Sequence, residues 1–393
     1  MISPLNLLFL LLPVAALSGW LIGRYGGRRR RPAAVSGGGL SSEYLRGLGY
    51  LLEERTDKAI DVFTRILEVD SETVEIHLAL GSLFRRRGEV ERAIRIHQNL
   101  IARPNLSPEQ RERALFELAQ DHMSAGLFDR AEGLFEDLAE NGDHVLPALR
   151  QLRGIYEQEK EWEAAIRVAR RLLNQGEEGL DTVVAHYYCE LAELARQAGR
   201  TRDAERHLRQ ALGFDRACVR ATLMEGELAM QAGAWRNAIK LYQRVAEQDP
   251  VFFSEAVPPL REAYEQTGRP LELIRVLQPF VDRHTDARVL VALTELLTRQ
   301  QGPQQAAVLL RRYLAENPNL PGLNQYVELT TSHADEKTAR DLEPVRTILD
   351  KMVADQPLYR CRRCGFHGRV LHWQCPSCKG WGIVKPTLAA DTP

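Results

Sequence analysis

One fragment returns along most of this chain: a turn residue, a polar pair, an alanine and an amphipathic run. The copies read DKAIDVF, ERAIRIH, DRAEGLF, EAAIRVA, RDAERHL, RNAIKLY, LELIRVL and QQAAVLL, with aligned positions Ala59, Ala93, Ala131, Ala165, Ala204, Ala238, Leu273 and Ala307. The intervals between them are 34, 38, 34, 39, 34, 35 and 34 residues. A period in this range restricts a chain to stacked supersecondary units, because one unit of that size cannot bury its own apolar face. A length of 393 residues then reads as an array growing along one axis, not as a single enlarged core.

Twelve residues before most of these positions stands a second small residue: Gly47, Gly81, Ala119, Ala192 and Gly226. Two helices packed as a hairpin need small side chains where their axes approach most closely, and this pairing supplies one on each helix. Leu78 and Leu83 fill the remaining apolar contacts of a first helix, Ile94 and Leu100 those of a second. Composition agrees, since Leu, Ala, Glu and Arg dominate a chain that is 44% hydrophobic and 27% charged. The pattern resembles the tetratricopeptide family, with Phe63, Phe135 and Tyr242 at its large second-helix position and Pro250 at a repeat end. Arg153 and Glu295 depart from the first-helix small residue, and Leu273 from the second-helix alanine. The longer intervals predict extended turns at 104–110 and 174–181. The resemblance implies a solenoid whose first helices line a concave inner face. In the second repeat that face presents Ser82, Arg85 and Arg86 as candidate carboxylate contacts, against the alternative of a solvated helix end. His77 and His97 read as packing or surface residues.

Residues 1–23 contain no charged side chain and are followed by Arg24 and the cluster Arg28 to Arg31. At ~1.5 Å per residue such a stretch crosses a hydrocarbon core of roughly 30 Å as a helix, and Pro4 and Pro13 do not forbid it. Ala16-Leu17-Ser18 has the small-x-small form of a signal-peptide cleavage site. Arginines placed after the apolar run favour an uncleaved anchor with the rest of the chain on the cytoplasmic side. The expected organisation is a transmembrane helix at 1–23, a basic Gly-rich linker at 24–42, the repeat array at 43–356, a metal module at 357–385 and a flexible tail at 386–393.

That module begins where the helical vocabulary stops. In CRRCGFHGRVLHWQCPSCKGWG, two C-x-x-C pairs, Cys361 with Cys364 and Cys375 with Cys378, are separated by ten residues. Two such knuckles complete a tetrahedral sulfur shell around one zinc or iron ion. Gly365 stands where a knuckle turn needs positive φ, and Pro376 stiffens the second knuckle. Disulfides are the competing reading, disfavoured by a reducing cytoplasm. His367 and His372 are not needed once four sulfurs fill the shell, and Cys189 and Cys218 read as buried free thiols within the repeats. A filled shell holds shape, whereas a catalytic zinc keeps a position open. The C-P-x-C half resembles rubredoxin and keeps electron transfer open as an alternative, although Lys379 replaces the glycine of its second knuckle.

Taken together, HLALGSLFRRRGEVERAIRIHQNLIARPNL (77–106), CRRCGF and CPSCKGWG resemble the LapB (YciM) family of Gram-negative lipopolysaccharide assembly proteins over the whole length. The resemblance implies an inner-membrane protein with a cytoplasmic repeat domain and a rubredoxin-type module packed against the repeats. It also implies an adaptor that brings the deacetylase LpxC to the membrane protease FtsH, in company with proteins such as LapA. A homodimer is left open. No P-loop, G-x-S-x-G elbow, H-E-x-x-H helix or dinucleotide glycine fingerprint occurs in the chain, which predicts a non-enzyme. A formal net charge of -1 leaves no global footprint for nucleic acid. The short cluster Arg360, Arg362, Arg363 and Arg369 reads as solvated surface in preference to a nucleic-acid contact.

Overall fold

The computed structural model describes residues 42–387 except 54, 70–72 and 141. The expected membrane helix at 1–23 lies outside the described residues. Among the described residues no helix is long and apolar enough to cross a membrane.

The chain divides into two compact units, Met1–Ala102 and Arg103–Pro393. In the first, α1 (Ser42–Leu52), α2 (Thr56–Val69), α3 (Val74–Arg86) and α4 (Val90–Ile101) each pack on the next. Ala59 and Ala93 are wholly buried there, and Phe63 fills the space left open by Gly47. A Cβ on Gly47 would come within 2.7 Å of that ring. His97 is wholly buried and lies against Gly81 in the same relation.

The second unit continues the pairing with α5 (Pro108–Ser124), α6 (Phe128–Glu140), α7 (Val145–Glu159), α8 (Trp162–Asn174), α9 (Asp181–Gln197), α10 (Thr201–Phe214), α11 (Val219–Gln231) and α12 (Trp235–Gln248). A 3-10 turn (Pro250–Phe252) leads into α13 (Phe253–Gln266), α14 (Pro270–Val281), α15 (Ala287–Gln301), α16 (Pro303–Glu316), α17 (Leu320–Ser332) and α18 (Glu336–Asp355). Besides pairing with its neighbours in sequence, each of α9, α11, α13 and α15 touches the next first helix directly. First helices therefore form the tighter side of this stack. The turns within the pairs from α3–α4 to α13–α14 close through a positive-φ residue, a place glycine fills at no steric cost and Lys160 fills at φ 60. The extended turns fall where the longer intervals put them, before α5 and before α9.

Two departures from the repeat find physical explanations, one of them a correction. In the fourth repeat the position that holds Phe135 or Tyr242 elsewhere is the wholly buried Ala169, and Arg153 turns its guanidinium to Glu157 at 3.5 Å. In the eighth, the sequence reading took Ala307 as the packing alanine and Glu295 as its departure. The fold buries the neighbouring Ala306 completely, and Thr294, twelve residues earlier, is wholly buried with its hydroxyl donating to the Val291 carbonyl at 2.8 Å. Ala306 is the third position of QQAAVLL, where the other copies carry their alanine, and its twelve-residue spacing from Thr294 is that of the other repeats.

After α18 the chain forms a three-stranded antiparallel sheet in the order β2-β1-β3, from β1 (Tyr359–Cys361), β2 (His367–Gly368) and β3 (Val384–Pro386). This is the scaffold of the cysteine knuckles.

Candidate metal centre

Each knuckle is a tight turn closed by one backbone bond. The Gly365 amide donates to the Cys361 carbonyl at 3.1 Å, and the Lys379 amide donates to the Cys375 carbonyl at 2.9 Å. Gly365 has the expected positive φ of 77°, and Lys379 adopts the same left-handed conformation at 57°. The non-glycine residue thus keeps the turn, at the modest steric cost of its Cβ.

The four thiol sulfurs converge within 4.8 Å of one another. Cys361 and Cys378 are 3.8 Å apart, Cys364 and Cys375 3.6 Å. A tetrahedral ion with metal–sulfur bonds near 2.3 Å separates its ligands by ~3.8 Å, whereas a disulfide requires about 2.05 Å. The spacing fits one tetrathiolate metal ion. Cys361 and Cys375 are buried, Cys378 half-buried and Cys364 exposed. A backbone N–H from Phe366 draws the Cys364 thiol down to about 6, while burial pushes Cys375 up to about 11. His367 is exposed and His372 lies edge-on to Phe366, so neither joins the sulfurs. Cys189 and Cys218 are buried free thiols 3.9 Å apart within the repeats.

Sequence reasoning missed what the module rests on. Trp381, only 8% exposed, inserts among Trp162, His186 and Tyr187 at ring-centroid distances of 5.9, 5.4 and 5.8 Å. Trp373 stacks on Phe252 at 5.3 Å and also meets His186, with the Arg220 guanidinium 6.0 Å from its ring. Around this aromatic wedge stand three carboxylates of the array. Glu255 accepts from Tyr359 at 3.0 Å and is held by Arg288 at 2.7 Å. Asp249 pairs with Lys385, and Glu157 accepts from Gln374 at 3.3 Å and from Tyr187. The module thus bridges the first helices α7, α9, α11 and α13, together with Trp162 at the start of α8 and the 3-10 turn before α13. Burial, reinforced by the charges of Arg220 and Lys385, holds His186 down to about 3, so it packs as a neutral ring. Burial and the neighbouring Glu255 raise Tyr359 above the ordinary phenol value. No local motif announces these contacts, because each joins side chains from distant stretches of chain.

The candidate partner residues lie in the first unit. On α3, Ser82 and Arg85 are half-buried and Arg86 is exposed, while the adjacent Arg87 is paired with Asp57 at 3.0 Å and Glu89 at 2.9 Å.

Residues 359–386 match the rubredoxin metal binding domain, and residues 76–112 and 189–251 match tetratricopeptide repeats. The chain is 38% identical over 389 residues to lipopolysaccharide assembly protein B of Escherichia coli (strain K12), covering 98% of this chain and 99% of that protein. It is 34% identical over 398 residues to the protein of the same name from Haemophilus influenzae, covering 97% and 98% respectively.

Proposed function

Because the chain belongs to the lipopolysaccharide assembly protein B family, we propose that it works in lipopolysaccharide assembly as a membrane-anchored, cytoplasm-facing adaptor. In this reading it regulates lipopolysaccharide synthesis by bringing the deacetylase LpxC to the membrane protease FtsH, alongside inner-membrane partners such as LapA. The observation that carries the adaptor reading is the seating of the tetrathiolate module across four successive first helices. Four sulfurs leave no coordination position for water or substrate, so the ion holds a shape that the binding scaffold shares. Ser82, Arg85 and Arg86 are the proposed client contacts, as donors to a carboxylate. Residues 1–23 supply the anchor, which raises the local concentration of array and client beside a membrane-bound protease without any catalysis by the chain itself.

Deleting residues 1–23 tests this. The truncated chain is expected to bind its client while the cellular half-life of LpxC, followed by immunoblot after translation is stopped, lengthens to that of cells lacking the protein. An unchanged short half-life would refute confinement at the membrane.

A redox reading rests on the solvent exposure of Cys364, since an electron carrier needs a ligand sulfur near its partner. It requires a reversible iron spectrum, whereas the adaptor reading requires equal function with zinc.

A further inference from the structure

Charge is distributed unevenly along this chain. Of its 53 carboxylates, 52 lie between residues 42 and 356, a stretch that holds 41 of the 52 Lys and Arg. The other cations occur in two places. Arg24 and Arg28 to Arg31 follow the apolar residues 1–23, and the metal module carries Arg360, Arg362, Arg363, Arg369, Lys379 and Lys385. Between Pro357 and Thr387 there is no Asp or Glu. Four thiolates on one divalent ion would subtract two charges and still leave the module strongly cationic.

On the module, Lys385 is turned to a carboxylate of the array, Asp249. Strand β1 sets Tyr359 and Cys361 inward and Arg360 outward, opposite His367 on β2. Arg363, Arg369 and Lys379 are exposed too, and Arg369 donates to the Ala354 carbonyl. Among the described residues, Arg360, Arg363 and Lys379 have no carboxylate in ion-pair range. Beside Arg369 stands Val370, 65% exposed. Residues 357–387 contribute no acidic group that would orient one particular ligand. It offers spread positive potential with an apolar tip, which suits a phosphate-dense surface.

We propose that this face of the metal module docks on anionic phospholipid headgroups of the bilayer that holds residues 1–23, as a second, electrostatic membrane contact. The acidic array is repelled by the same surface, so the two together orient the second unit with its module toward the lipid. Arg24 to Ser41 can span at most ~60 Å, which keeps Ser42 within that distance of the bilayer. Each Lys or Arg near an anionic leaflet strengthens binding by roughly fivefold. The proposal rests on the membrane-anchored reading above.

The test uses the full chain in nanodiscs, with a photoreactive benzoylphenylalanine at Val370. In discs containing phosphatidylglycerol, crosslinking to lipid is expected to exceed that in pure phosphatidylcholine discs by about tenfold. The combined Arg360→Gln, Arg363→Gln and Lys379→Gln variant, checked for unchanged metal content and thermal transition, should lower the yield by at least about fivefold. Failure of the chain to enter discs overturns the anchored reading and this proposal with it. Entry with equal crosslinking in both discs overturns the lipid-docking face alone, as does capture of an acidic protein in place of lipid when the same chain is irradiated in native membranes.

Discussion

Replacing Trp381 by alanine should free the metal module from the array without emptying it. Trp381 is 8% exposed and contacts three rings that belong to the repeats, those of Trp162, His186 and Tyr187. Truncating a buried Trp costs about 3–5 kcal/mol, and each ~1.4 kcal/mol is a factor of ten. The docked-to-undocked ratio should therefore fall by roughly 10² to 10³. The sulfur ligands sit in two turns that remain intact, so metal stoichiometry should stay at the wild-type value. Native-state proteolysis reports the open population when reclosing outruns cleavage. Release of the C-terminal fragment by thermolysin, followed by mass spectrometry, is thus expected to accelerate by at least ~100-fold while the far-ultraviolet dichroism of the array is retained. An acceleration below about threefold in a variant that keeps its metal would show that the aromatic wedge is not what holds the module, and would refute the reasoning.

Acid should act on the same junction. The docked state excludes a proton from His186, holding it down to about 3, while an undocked, solvated histidine titrates near 6.5. Its contribution to docking is complete above about pH 6.5 and is lost as pH falls toward the docked value, at no more than tenfold per unit. Module release at about pH 5 should exceed that at about pH 7.5 by roughly 30-fold, and a His186→Gln variant should flatten the profile. An unaltered slope in that variant would assign the effect to other groups. Gly226→Ala places a Cβ 2.5 Å from the ring of Tyr242, which is 1% exposed and has no room to yield. A loss of about 1–3 kcal/mol is expected, read as a fall in Tm of roughly 2–4 °C per kcal/mol. Gly154→Ala, which meets nothing within 4 Å, should lose nothing. Equal melting of the two variants would undo the hairpin-contact argument.

The repeat was legible because its packing rule is local. A small residue on one helix faces a small or large residue at a fixed distance along the next, so Ala59, Ala93, Ala131, Ala165, Ala204 and Ala238 could be picked out before any coordinates, and all are essentially inaccessible. Where two alanines stand side by side the same rule, applied strictly, selects Ala306, the third position of QQAAVLL, and that is the one buried; Ala307 stands one position too late. The last pair, α17 and α18, carried no recurring fragment, and α18 leaves Val345, Ile348 and Met352 exposed with only Leu349 buried. The four cysteines were legible for the same local reason, since each C-x-x-C pair determines its own turn. Their platform was not. His186, Glu255 and Trp381 occupy ordinary helix or loop positions, and what unites them is the stacking of hairpins that brings α9 and α13 under one small sheet. Size, charge and burial at that junction emerge only after the array has formed.

The central claim is that a sulfur-only metal centre closes the module that rests on the first helices. X-ray absorption at the metal edge, on the full chain with its metal content measured alongside, tests it most directly. One ion per chain with four sulfur neighbours at about 2.3 Å is the predicted result. A shell containing oxygen or nitrogen at about 2.0–2.1 Å, with an open or water-filled position, would contradict it.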